Sequence, residues 1–211
     1  MKRHIINLLL IFLLFSISPA ARADAGAPAA PAVSEYESVG AMWELVSEYS
    51  PSDFVTAGIV TQIWFEPGCI ANAVGGGYLI GPDYDETVTA EIDAGLAAGS
   101  TRDAFTKHVI NKHQCWGYGL IQWVTAEELG KLYDFAQQSG TSIGDADMQV
   151  RFILWNTETN FPEVWEKLLT CESAGDAGVI FGHWIGGTGD GLKLSDRAWL
   201  AEELYKEYGN E

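Results

Sequence analysis

The sequence predicts a single, mainly α domain. Apolar residues recur at helical spacing in most segments, and capping residues precede several of those segments. No stretch shows the sustained alternation of apolar and polar residues that is typical of strands. The chain has 211 residues and is 47% hydrophobic, which suffices for one well-formed core. We therefore expect one helical domain over residues 39–211, preceded by an N-terminal tail.

The tail has the pattern of a secretory signal peptide. A basic start is followed by an apolar run over residues 5–17 and by Ala21-Arg22-Ala23, a small-x-small cleavage site. The run of about thirteen residues is short for a bilayer span, although an uncleaved anchor is the alternative. We expect residues 1–23 to be removed, residues 24–38, which are rich in Ala and Pro, to form a flexible linker, and the protein to be secreted or periplasmic.

The net charge limits the possible partners. It is −17 for the whole chain, and because residues 1–23 carry three basic and no acidic side chains, the remainder carries −20. Such a surface repels nucleic acid and anionic membranes. We expect a monomer that needs no cofactor and contacts no membrane once the signal peptide is removed.

The first two helices are predicted from their caps and apolar stripes. One helix begins near Val39. The next is expected from about Asp53 to Glu66, because Ser50-Pro51-Ser52 offers an N-cap and a proline at the helix start. Within it, residues 55, 59 and 63 recur every four positions and draw one apolar stripe. After it, residues 73–114 are poorly periodic, with several glycines and acids, and we expect a long loop region with short helical or extended pieces.

Clear helix signals reappear in the sequence after residue 115. Thr125 and Glu128 have capping-box spacing and open a helix that ends at Gly140. Asp145 can cap the next helix, which is apolar nearly all round and is therefore expected to be the central, buried one. Further helices are expected over residues 162–169, 174–184 and 195–208, with a glycine-rich loop at 186–191 between the last two.

Glu66 is the candidate catalytic acid. It lies three residues past Ile63, on the apolar face of its helix, and Pro67-Gly68 ends the helix directly after it. Burial against apolar side chains disfavours the charged carboxylate, so we expect its pKa to rise and a proton donor to be available near neutral pH. The alternative is a glutamate that points into water at a frayed helix end.

The segment Gly117–Trp123 is the candidate binding segment. Glycines allow a backbone to approach a ligand closely. Gln122 offers an amide, and Tyr118 and Trp123 offer aromatic faces with polar edges, a mixture that suits sugar rings. The alternative is a turn whose aromatic side chains belong to the core.

Three motifs occur in an order that resembles the phage tail lysozyme family. They are Phe65-Glu66-Pro67-Gly68, the segment Gly117–Trp123, and residues 142–150 with the sequence Ser-Ile-Gly-Asp-Ala-Asp-Met-Gln-Val. The similarity extends over about residues 53–205. It implies a lysozyme-like fold and cleavage of the glycan strands of peptidoglycan, with Glu66 as general acid and with Tyr118 and Gln122 in the glycan groove.

Two alternatives to a hydrolase remain. Where the family commonly has Ala-Glu-Ser-Gly, this chain has Phe65 and Pro67 around the acid, and its surface is acidic. Both features favour a catalytically weak or inactive peptidoglycan-binding module on the same fold. A lytic transglycosylase would use the same acid without an attacking water.

The remaining candidates are weaker. A second catalytic acid is not identifiable among Asp83, Asp85 and Glu86, and Glu66 is predicted to act alone. Asp83-x-Asp85 lacks the glycine and the distal glutamate of an EF-hand calcium loop. We predict no metal site, because His108, His113 and Cys115 lack a fourth ligand at a recognisable spacing. Trp184 is a further candidate for the groove. Of the three cysteines, Cys69 and Cys115 are the favoured disulfide pair, with free buried thiols as the alternative.

Overall fold

The computed structural model describes residues 39–66, 68–75, 82–105, 107, 117–186 and 193–210. The predicted mainly α class is confirmed, since isolated bridges are the only β pairing among these residues. The helices are α1 (Val39–Ser47), α2 (Asp53–Phe65), α3 (Pro82–Ala97), α4 (Ala126–Ser139), α5 (Ala146–Asn160), α6 (Pro162–Thr170), α7 (Ala174–Gly186) and α8 (Leu194–Tyr208).

The predicted caps form. The side chain of Ser52 accepts a hydrogen bond from the backbone of Val55 at the start of α2. Thr125 and Asp145 cap α4 and α5 in the same way, and Gly140 ends α4 in the left-handed conformation with φ 66°. Since each cap satisfies backbone groups that the helix itself leaves unpaired, local sequence was enough to place these helix ends.

The prediction of a long loop region over residues 73–114 is wrong in the central part of that range, where α3 forms a helix of 16 residues. The buried side of α3 consists of Val88, Thr89 and Ile92. The half-buried Asp85 and Leu96 lie on either side of them in the sequence. These positions have helical spacing, but two of the five are polar, and this obscures the apolar stripe. The helix-start proline and the acids of the first turn were the remaining signals.

The most enclosed helix is α2, although α5 was predicted to be central. Every residue from Val55 to Ile63 is buried, because α1, α7 and α8 pack around α2. Gly58 permits the closest approach, since a Cβ there would lie 2.9 Å from the backbone of Ala177 in α7. Helix α5 is also largely buried, but its last two residues are exposed. The core therefore fixes the position of α2, whose C-terminal end carries Glu66.

The described cysteines are free thiols. Burial raises the pKa of Cys69 to about 11, and Cys171 is half-buried with a pKa that burial also raises. Cys115, the favoured disulfide partner of Cys69, lies outside the described residues.

Other predictions fall outside the described part of the chain. These are the signal peptide, the linker, and the histidines at positions 108 and 113. Within the described part, none of the helices combines the length and the apolar character that crossing a bilayer requires.

Candidate active site

Glu66 is the C-cap of α2. Its backbone leaves the helical conformation, with φ −89° and ψ −85°, while its N–H still donates to the carbonyl of Gln62 at 3.1 Å. The residue is exposed as a whole, yet only 27% of its side-chain surface is accessible. The carboxylate therefore lies at the edge of the core and is held at the end of the most enclosed helix.

The two carboxylate oxygens of Glu66 differ in their surroundings. Oε1 accepts hydrogen bonds from Gln62 Nε2 at 2.9 Å and from Arg197 Nη2 at 3.0 Å. Oε2 has no hydrogen-bond partner among the described residues. The apolar surroundings predicted for this acid are wrong, because an amide and a guanidinium contact it. One oxygen is anchored and the other remains available to a ligand.

Arg197 extends from α8 to the acid and is itself buried, with 7% of its side-chain surface accessible. Besides Glu66, its guanidinium contacts the side-chain oxygen of Gln62, to which Nη1 donates. It also lies over the ring of Phe65, with 4.7 Å between Cζ and the ring centroid. A buried guanidinium is costly unless its donors are satisfied and its charge is paired. These contacts connect the end of α2 to α8 at the carboxylate.

Sequence reasoning missed Gln62 and Arg197. Gln62 occupies a polar position within an otherwise apolar helix. Arg197 continues the inward face of α8 that carries Ala201 and Leu204, at i+4 and i+7. A charged residue on a buried face requires a partner, and this was the available signal. The partner lies 131 residues away in sequence, so the pairing itself could not be predicted.

The chain that follows Glu66 pairs with the candidate binding segment. Gly75 N–H donates to Gly117 O at 2.6 Å, and Gly119 N–H donates to Ala73 O at 2.9 Å. Within the binding segment, Tyr118 and Trp123 exchange two backbone hydrogen bonds, of 3.1 and 2.9 Å, and so close a tight turn. This small ladder places residues 117–123 beside the segment that leads out of the acid-bearing helix.

Tyr118 and Trp123 lie in the core. Tyr118 is 0% exposed, and its hydroxyl shares a hydrogen bond of 2.7 Å with the Thr89 hydroxyl on α3. Trp123 is 5% exposed and meets the rings of Phe152 and Trp184 edge to face. Its Nε1–H has no acceptor among the described residues. Their burial argues against direct contact with a glycan and favours a role in supporting the turn.

Gln122 is half-buried, and its side chain stabilises the turn through hydrogen bonds to backbone carbonyls. Its Nε2 donates to Ala73 O at 3.1 Å and to Gly119 O at 3.0 Å, and its own backbone is left-handed, with φ 51°. Gly117 leaves room for it, since a Cβ there would lie 2.9 Å from Gln122 Oε1. Of the three predicted binding side chains, Gln122 is the one that is partly accessible.

The buried amide of Gln149 connects the binding turn to the segment after Glu66. This residue lies in the motif of residues 142–150, but no role of its own was predicted for it from the sequence. Gln149 on α5 accepts a hydrogen bond from Leu120 N at 2.8 Å through Oε1. Its Nε2 donates to Ala71 O and to Ile143 O, both at 2.7 Å. Three loops therefore meet on one fully buried side chain.

The candidate second acids occupy different environments on α3. Asp83 and Glu86 are exposed. Asp85 is half-buried, and its Oδ1 accepts from Val74 N–H at 3.1 Å. Burial raises the pKa of Asp85, and the hydrogen bond from Val74 opposes part of that rise. Asp85 therefore anchors the same segment that pairs with Gly117–Trp123.

Trp184, the remaining groove candidate, is half-buried in an aromatic cluster. Besides Trp123, it meets Phe161 and Phe181 edge to face. These contacts join α7 to the turn that contains Trp123.

The model of the phage tail lysozyme family matches residues 40–208. Neither the curated proteins nor the solved structures give a significant match.

Proposed function

Because the chain belongs to the phage tail lysozyme family, a family of lysozyme-like peptidoglycan hydrolases, we propose that it hydrolyses the β-1,4 linkages of peptidoglycan glycan strands with Glu66 as general acid. The observation that carries the assignment of Glu66 is the asymmetry of its carboxyl group. Oε1 is held by Gln62 and Arg197, and Oε2 has no partner among the described residues. A general acid needs a fixed orientation and one oxygen that can reach the leaving group.

The reaction uses one proton and one water. Protonated Glu66 donates its proton to the glycosidic oxygen as the bond from that oxygen to C1 breaks, and the leaving sugar departs with a free hydroxyl. Water then adds to the oxocarbenium-like C1 and gives up one proton, which balances the proton that Glu66 donated. The products are two shorter glycans, one of which has a new reducing end.

For substrate binding we assign the turn Gly117–Trp123 as one wall of the groove. The partly accessible Gln122 would meet sugar hydroxyls through its amide. Tyr118 and Trp123 would act from the core side, where Thr89 and Phe152 hold them and thereby hold the turn. Support for this assignment comes from the ladder that joins the turn to the segment following Glu66.

The proposed substrate lies outside the cytoplasmic membrane, which agrees with the signal-peptide pattern of residues 1–23. We therefore propose export, with the mature chain beginning near Asp24. The acidic surface of that chain does not favour tight electrostatic attachment to an anionic wall. Recognition would then depend on the groove.

The test is to incubate the chain from Asp24, and its Glu66→Gln variant, with purified peptidoglycan and to analyse the soluble fragments by mass spectrometry. Release of muropeptides with intact reducing ends by the wild type alone supports the proposal. Fragments lighter by one water would instead identify a lytic transglycosylase. If both proteins sediment with the wall and neither releases fragments, the chain is a peptidoglycan-binding module.

A further inference from the structure

We propose that Arg197 is a positioning residue for Glu66, and that it directs Oε2, rather than Oε1, to the glycosidic oxygen. This inference rests on the proposed function. It concerns how the acid is oriented, which the sequence motifs do not specify.

The first support is the closed arrangement of Gln62, Glu66 and Arg197. Gln62 donates to Glu66 Oε1 through Nε2 and accepts from Arg197 through Oε1, while Arg197 donates to the same Glu66 oxygen at 3.0 Å. Each side chain therefore contacts the other two. With both contacts to the carboxylate directed at Oε1, rotation of the carboxyl group would break two hydrogen bonds at once.

The second support is the immobility of Arg197. Its side chain is 93% buried, and the ring of Phe65 covers one face of the guanidinium. Gly182 on α7 makes room for it, since a Cβ there would lie 2.8 Å from Arg197 Cδ. An arginine fixed in this way presents its donors in one geometry, which a flexible surface arginine does not.

The third support is the position of the acid in the chain. Glu66 lies past the last residue of α2, where the backbone has left the helical conformation and Pro67-Gly68 follows. The helix alone therefore does not orient its side chain. Because the reacting atoms of a catalytic group must be placed to within about 1 Å, a contact that orients the carboxyl group affects the rate more than it affects substrate binding.

The experiment measures kcat and KM for cleavage of soluble, uncrosslinked glycan strands by the mature chain. The variants are Arg197→Met, Arg197→Lys and Gln62→Leu. Arg151→Met serves as the matched control, because Arg151 is also ion-paired, to Asp147 at 2.9 Å, but does not contact the acid. Thermal unfolding of each variant is followed in parallel.

We expect Arg197→Met to lower kcat by about 100-fold while KM changes by less than about threefold. Arg197→Lys should recover about a tenth of the wild-type kcat, since an ammonium supplies the charge but not the planar pair of donors. Gln62→Leu removes one donor to Glu66 Oε1 and the acceptor that holds Arg197 Nη1. It should lower kcat by about tenfold, so the proposal stays testable if Arg197→Met does not fold. Arg151→Met should keep the wild-type values.

Different results overturn different claims. Suppose first that wild type cleaves the strands and Glu66→Gln does not. A folded Arg197→Met variant with the wild-type kcat then overturns this inference alone. If Arg197→Met does not fold, a wild-type kcat in Gln62→Leu has the same consequence. An equal loss of kcat in Arg151→Met also overturns it, because the loss would then follow from general destabilisation. If Glu66→Gln retains activity, or if wild type has none, the proposed function fails and this inference fails with it.

Discussion

Leu120 donates its backbone N–H to the side-chain oxygen of Gln149 across a distance of 2.8 Å, and this contact joins the candidate binding turn to α5. The same glutamine donates to two carbonyls, one in the segment after Glu66 and one in the loop before α5. The side chain of Gln149 is fully buried. One amide therefore holds the binding turn, the segment after Glu66 and the loop before α5 together.

Replacing Gln149 with leucine should destabilise the fold strongly. The variant leaves a buried N–H, a buried carbonyl and a partly buried carbonyl without their partner, and each unsatisfied buried group costs about 1–3 kcal/mol. We expect a loss of about 3 kcal/mol or more, which for a domain of this size lowers Tm by roughly 10 °C. Gln137→Leu, an exposed glutamine of α4, is the control and should change Tm little. Equal Tm values for the two variants would contradict the role assigned to Gln149.

A pair of glycine variants tests how closely the turn packs against Gln149. Gly119 and Gly99 both have positive φ, of 83° and 66°, so alanine at either position incurs a backbone cost of about 1 kcal/mol. A Cβ at Gly99 meets nothing within 4 Å, whereas one at Gly119 overlaps the amide oxygen of Gln149. Unfolding in denaturant should show Gly119→Ala to be less stable than Gly99→Ala by about 1–3 kcal/mol. If the two variants have the same stability, this packing is not as close as described.

Asp93 on α3 should make stability depend on pH. It accepts from the Ser142 hydroxyl at 2.6 Å and from Ile143 N–H at 2.9 Å. Burial nevertheless raises the pKa of Asp93 above its ordinary 3.8, against the effect of these hydrogen bonds. The folded state then binds more protons than the unfolded state above that value, so the contribution of this group to stability falls as pH rises through the folded pKa.

The measurement for Asp93 is the free energy of unfolding of wild type and Asp93→Asn between pH 4 and 7. The advantage of wild type over the variant should shrink as pH rises, because the variant has no carboxyl group to ionise. Asp83→Asn removes an exposed carboxyl group from the same helix and is the control. An advantage that grows with pH would contradict the direction assigned to this pKa.

Local rules predicted the helices other than α3, whereas the arrangement of the site depends on contacts between residues distant in sequence. Ser52, Thr125 and Asp145 act within three residues of themselves, so their caps could be read directly. The aromatic residues of the turn, Tyr118 and Trp123, suit a sugar groove and a core equally well by residue type. Only contacts to distant side chains, at Thr89 and Phe152, distinguish the two.

The position of Glu66 at the end of α2 was predicted from sequence, but its surroundings were not. The predicted apolar positions of α2, Val55, Ile59 and Ile63, are all fully buried, although the helix is enclosed on its other faces as well. This apolar pattern did not indicate that Arg197 would reach the carboxylate from the last helix. Hydrophobic periodicity identifies which face of a helix is buried and carries no information about which residue covers its end.

The most direct test of the account is the rate at which new reducing ends form from soluble glycan strands, compared between wild type, Glu66→Gln and Glu48→Gln. Glutamine at position 66 can still accept from Arg197 and Gln62, so the fold should persist while the transferable proton is lost. Glu48 is an exposed acid at the end of α1 and controls for the change in charge. We predict a fall in kcat of about 10²–10⁴-fold for Glu66→Gln and wild-type rates for Glu48→Gln. A folded Glu66→Gln variant that forms reducing ends at the wild-type rate would contradict the account.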